Sequence, residues 1–88
     1  MLKSVEKLLE CDNDLTVGNH SSKHNYEIHE VWFYMYHGTV ICEVNYERRE
    51  FKLPYDGAYS HSVSTRRAVN DYKRYFTDKG FTLIEEAV

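Results

Sequence analysis

No stretch of this sequence is long and apolar enough to span a bilayer, and the opening Met1-Leu2-Lys3-Ser4-Val5-Glu6-Lys7 interrupts its apolar residues with charge, which excludes a signal peptide's hydrophobic region. The expectation is a soluble, cytoplasmic protein. Cysteine is scarce: Cys11 and Cys42 have neither the paired C-x-x-C spacing of a zinc site nor the density of a secreted disulfide scaffold, and both read as reduced thiols. Four glycines and one proline leave no Gly-rich phosphate loop and no linker. Charge of one sign is also missing. A formal net charge of −3 is too small for a protein that binds polyanions as a whole, and too small for a whole-molecule imitation of DNA. No nucleophile elbow, carboxylate pair in an evident pocket, or Cys-His arrangement with a third orienting residue can be drawn. A chain of this size also has little room for a ligand cavity of about 300 Å3 beside its core. These absences argue against an enzyme, a cofactor and a metal.

What is present is an ordinary globular composition, 42% hydrophobic and 28% charged, which predicts one domain over residues 1–88. A chain this short buries roughly 60 to 65% of the surface its unfolded form exposes, so apolar material is limited. Eight tyrosines compensate in part, because each buried aromatic ring removes on the order of 150 to 250 Å2 from water.

Leu2, Val5, Leu8 and Leu9 recur at helical spacing and predict a helix over 2–10, broken by Asp12-Asn13-Asp14. Leu15-Thr16-Val17 reads as a brief edge strand, and the polar stretch from Gly18 to Asn25 as a loop that cannot enter a core. Strict alternation then begins: Val31, Phe33 and Met35 point one way, Trp32, Tyr34 and Tyr36 the other. His37-Gly38 closes a tight turn into Thr39–Tyr46, where Val40, Cys42, Val44 and Tyr46 share one face against Ile41, Glu43, Asn45 and Glu47. A turn at Glu47-Arg48 leads to a third strand through Phe51 and Leu53, stopped by Pro54. Hydroxyls at 62–65 cap a second helix over Thr65–Asp78, with Ala68, Val69, Tyr72, Tyr75 and Phe76 on its apolar arc. Lys79-Gly80 ends it before a last strand at Phe81–Ile84. The predicted class is α+β: an antiparallel meander of three to four strands in the order αβββαβ, with the long helix on one sheet face.

Four groups of residues have the chemistry to do something. The first is the row Trp32, Tyr34 and Tyr36, with Ile41 as cross-strand neighbour. If the first helix does not close over it, it anchors a protein partner, since Trp and Tyr give large contact area at low entropic cost. Burial under that helix, or pairing of two such faces in a homodimer, satisfies the same apolar area. Acidic Glu30, Glu43 and Glu47, with Glu27 and Glu50, then set electrostatic register around the row. Next come Arg66, Arg67, Lys73 and Arg74 on the second helix, which form a possible nucleic-acid contact. Their spacing to Asp71 and Asp78 favours intrahelical ion pairs and a solvated face. Last, the five histidines include His20 and His24 at i, i+4, the spacing of a helical metal pair, but in a loop with no third ligand.

The helix, Leu15-Thr16-Val17, polar loop and His37-Gly38 hairpin, followed by a hydroxyl-capped, Arg-rich helix, Gly80-Phe81 and a strand, form an arrangement that resembles small phage-encoded inhibitors such as compact anti-CRISPR proteins. The resemblance covers about two thirds of the chain and lies in layout, not in a motif. It implies a stoichiometric binder of a host protein or defence complex, working in the host cytoplasm with no cofactor and no turnover. This chain departs from the DNA-imitating inhibitors in being far less acidic. The expected function is therefore non-enzymatic protein binding, with a nucleic-acid-associated regulator and a structural homo-oligomer as the alternatives.

Overall fold

A computed structural model describes residues 3–11, 13–25, 27, 30–54 and 63–86. The chain runs α1 (Lys3–Glu10), β1 (Leu15–Val17), β2 (His20–His24), β3 (Val31–Tyr36), β4 (Thr39–Asn45), β5 (Glu50–Leu53), α2 (Val63–Asp78) and β6 (Thr82–Glu86). All six strands join one mixed sheet in sequence order, antiparallel from β1 to β5 and parallel between β5 and β6. The α+β class is as expected. The count of three to four strands and the order αβββαβ are not, because β1 and β2 add a hairpin before the three expected strands; the expected last strand is present as β6 but runs parallel to β5, so the sheet is not an antiparallel meander throughout. Among the described residues no helix is long and apolar enough to cross a membrane.

The segment expected to be a polar loop is β2. It lies between β1 and β3 in the ladder, so its backbone groups are satisfied on both sides. Its inward positions carry polar residues, His20 at 7% exposed and Ser22 at 4%, and hydrophobic periodicity therefore passes over it. Small Ser22 stands opposite bulky Tyr34, while the His20 ring meets the Tyr36 ring edge-on at 4.7 Å and His24 stacks on Trp32 at 4.9 Å. Gly18, at φ 62°, opens the two-residue loop Gly18-Asn19 that returns the chain from Val17 to His20.

Turn chemistry also sets the next hairpin. His37 and Gly38 both take positive φ, 51° and 78°, as a two-residue turn of the primed type requires, and Tyr36 pairs with Thr39 across it. Tyr34 then faces Cys42 rather than Ile41, so Ile41 is an extra residue on β4 and forms a bulge. Ile41 and Cys42 both turn inward and are fully buried, whereas Val40 lies with Met35 on the other side. The alternation placed Val40 inside and Ile41 outside; the bulge exchanges them.

Both helices cover the same face. Val5 and Leu8 of α1 and Ala68, Val69, Tyr72 and Phe76 of α2 close on Tyr34, Ile41, Cys42, Val44, Phe51 and Leu53 in one core cluster. The α1 helix lies over β1 and β2, and α2 over β4, β5 and β6. The C-terminus of α2 is a complete Schellman stop: Phe81 N–H donates to the Phe76 carbonyl at 2.9 Å and Gly80 N–H to that of Thr77 at 3.1 Å, with Gly80 at φ 86° and the two phenyl rings 5.2 Å apart. Arg49 docks this corner to the sheet. Its guanidinium donates to the Lys79 carbonyl at 2.5 Å and lies 5.1 Å over the Phe81 ring, and its own carbonyl accepts from Thr82 N–H at 2.9 Å. Of the hydroxyls expected to cap α2, Ser64 and Thr65 lie within the helix, which begins at Val63, and Ser62 and the Asp56-Gly57 turn lie outside the described residues.

Three tyrosines converge on the core. The Tyr34 and Tyr46 hydroxyls share a hydrogen bond of 2.6 Å, and the Tyr34 ring lies 5.1 Å from that of Tyr72. Burial pushes the Tyr34 and Tyr72 phenols above the ordinary tyrosine range, and burial pushes Tyr46 up to about 12. Their neutral forms are therefore favoured in the folded state over the unfolded one. That stability is fully present below the unfolded pKa of about 10 and is lost as pH rises from 10 through 12 and beyond. Alkaline titration followed by tyrosinate absorbance and circular dichroism is expected to show a late ionisation step coincident with unfolding. Ionisation of all the tyrosines near pH 10 with the fold intact contradicts this packing.

Candidate functional site

Trp32, Tyr34 and Tyr36 face the helices. Tyr34 is a core residue at 2% exposed, against Tyr72 and Phe76, and Trp32 and Tyr36 are half-buried and packed against the same cluster. The bulge is the reason. A hairpin without it sets Trp32 opposite Glu43 and Tyr34 opposite Ile41; with it, Trp32 faces Val44 and Tyr34 faces Cys42. Glu43 moves to the side of Phe33, its partner across the ladder, so the expected ring of acidic residues does not surround the aromatic row. Glu30 and Glu47 are exposed in the turns at one end of the sheet, where the Glu30 carbonyl accepts from Tyr46 N–H at 2.9 Å.

The opposite face carries Phe33, Met35 and Val40, and among the described residues no helix covers it. These three side chains line a recess of about 520 Å3 on β2 to β4, together with Lys23, His24 and Glu27. A single cross-strand row continues from it over four strand junctions: Lys23 pairs with Phe33, Phe33 with Glu43, Glu43 with Lys52, and Lys52 with Glu85. The Lys52 ammonium lies 3.6 Å from the Glu43 carboxylate and 4.0 Å from that of Glu85. Both pairs are solvent-accessible and each contributes only about 0.2 to 1 kcal/mol. One half of the face is thus apolar and the other a ladder of alternating charge.

No protein-family model, curated protein or solved structure matches this chain. The reading of the face rests on its own geometry.

The remaining candidates separate in space. On a strand, residues four apart lie about 13 Å from each other, so His20 and His24 cannot share a metal ion. Among the described residues no group of three His, Cys, Asp or Glu is placed to hold one. Burial and the nearby His37 hold the His20 imidazole below its ordinary range, against a smaller opposing effect of Asp71. Cys42 is buried, and desolvation raises its thiol above the ordinary range, which makes it a poor nucleophile. His29 and His61 lie outside the described residues. Arg66, Arg67, Lys73 and Arg74 occupy the outer side of α2, on the opposite side of the molecule from the Phe33 face. Among the described residues, Lys73 of this helix pairs with Glu86 of β6 at 2.9 Å.

Sequence pattern does not single out Phe33, Met35 and Val40, because alternation divides a strand into two faces without saying which one is covered. The charged cross-strand partners Lys23, Glu43 and Lys52 are the available signal, since they mark the solvent side once the bulge is known. Substitution distinguishes the two faces of β3. Tyr34→Ala is expected to cost about 3 to 5 kcal/mol in chemical denaturation, as for a large buried aromatic. Phe33→Thr is expected to cost about 1 kcal/mol or less, the span of strand preference at an open position. Equal losses at the two positions contradict the assignment of faces.

Proposed function

We propose that this protein is a non-enzymatic protein-binding domain that docks through the open sheet face. The recess lined by Phe33, Met35 and Val40 carries this reading: it groups three apolar side chains in a small chain with little such material to spare, and it is edged by charge of both signs. A partner suited to it presents one or two projecting apolar side chains between a carboxylate that reaches Lys23 and a cation that reaches Glu27 or Glu43. Apolar anchors inside a charged rim are the usual arrangement of an interface core. The sheet beneath supplies rigidity, so little order has to be gained on binding. The expected resemblance to small phage-encoded inhibitors, which counted β2 as a loop, implies a host enzyme or defence complex as the partner, bound one to one and without turnover.

The test is reconstitution with a purified partner captured from bacterial lysate, followed by calorimetric titration. Phe33→Asp and Met35→Asp are each expected to weaken the complex at least about 30-fold, the loss of one hot spot of about 2 kcal/mol, with unchanged circular dichroism. Wild-type affinity in both variants removes the open face as the docking site. A mass that doubles with concentration, and stays single in Phe33→Asp, assigns the same face to a homo-oligomer instead.

A further inference from the structure

The charge of this protein is segregated in a way its total of −3 conceals. Four of the eleven Lys and Arg lie on α2 against two carboxylates, Asp71 and Asp78, so the helix carries +2. The other seven cations and twelve carboxylates leave the rest of the chain at −5. At 100° per residue, Ala68, Val69, Tyr72 and Phe76 centre the buried side, and the side opposite holds Arg67, Asn70 and Arg74, with Arg66 toward the flank that carries Lys73. Lys73 lies on one flank and is engaged with Glu86. Asp71 lies on the other flank, where its charge reaches buried His20. Asp78 follows Arg74 by one turn and closes the strip at its C-terminal end.

Arg66, Arg67 and Arg74 are all exposed, and among the described residues none forms an ion pair with them. The first turn of α2 has no acidic residue, so Arg66 and Arg67 lie near the positive end of the helix dipole, an unfavourable position for a cation. A shallow groove of about 780 Å3 runs along the strip and is open to solvent, with Val63, 73% exposed, at its start. From Arg66 to Arg74 the helix rises about 12 Å, the length over which one strand of a duplex rising 3.4 Å per nucleotide presents three or four phosphates.

We propose that the outer strip of α2, through Arg66, Arg67 and Arg74 with Asn70 between them, is a sequence-independent contact for the phosphate backbone of duplex DNA. Guanidinium forks suit phosphate oxygens, and the Asn70 amide adds a neutral donor. The strip is on the other side of the molecule from the Phe33 recess and is independent of it, so a protein held at the sheet leaves α2 open to DNA.

Fluorescence anisotropy with a short random-sequence duplex tests this. Three neutralised phosphates predict a log–log salt slope near −2.7, so affinity is expected to fall about 40-fold between about 50 and 200 mM salt. Each of Arg66→Gln, Arg67→Gln and Arg74→Gln is expected to flatten the slope by about 0.9 while circular dichroism and Tm stay at wild-type values. Absence of binding at 50 mM salt, or a triple variant that keeps the wild-type slope, overturns the proposal. Labelled polyglutamate bound as tightly as the duplex also overturns it, in favour of an acidic protein surface.

Discussion

Two residues of β4, Ile41 and Cys42, oppose the single Tyr34 of β3, and the rest of the molecule is arranged around that mismatch. Because both turn inward, the sheet presents a continuous apolar surface to the helices where strict alternation leaves a gap. Beyond the bulge the pairing is displaced by one, which carries Val44 under Trp32 and sends Glu43 to the open side. Tyr34 is held at the centre by ring packing on Tyr72 and Phe76 and by the hydrogen bond to Tyr46. In a chain too short for a large core, this aromatic cluster links α2, β3, β4 and the corner at Phe81.

The same constraint decides where function can be located. With α1 and α2 both drawn to the aromatic face, the described residues form two layers, with one sheet face and the outer side of α2 left uncovered among them. These differ in chemistry: the sheet face combines a small apolar recess with a charge ladder, and the helix face carries Arg66, Arg67 and Arg74, which form no ion pair among the described residues.

Much of the fold was legible from local pattern. Leu8 and Val5 mark α1, the period of two marks β3 to β5, and Gly80 marks the end of α2, because each depends on residues within one or two turns of chain. The sequence reading missed β2 because ladder pairing and cover from α1 stabilise that strand, not apolar side chains of its own. The Gly18-Asn19 pair was the one local signal, a two-residue hairpin turn between Leu15-Thr16-Val17 and the polar strand.

By itself the sequence determined the α+β class, the two amphipathic helices, the central hairpin with its turn, and the division of β3 into an aromatic face and a Phe33–Met35 face. All of these follow from spacing and from the backbone freedom of a few residues. Only the tertiary structure decided which face of β3 the helices cover, that Ile41 and not Val40 enters the core, that β6 runs parallel to β5, and that the arginines of α2 have no partners among the described residues. Those choices depend on one inserted residue in a ladder and on where a crossover returns, which are long-range packing outcomes that no window of side-chain periodicity contains.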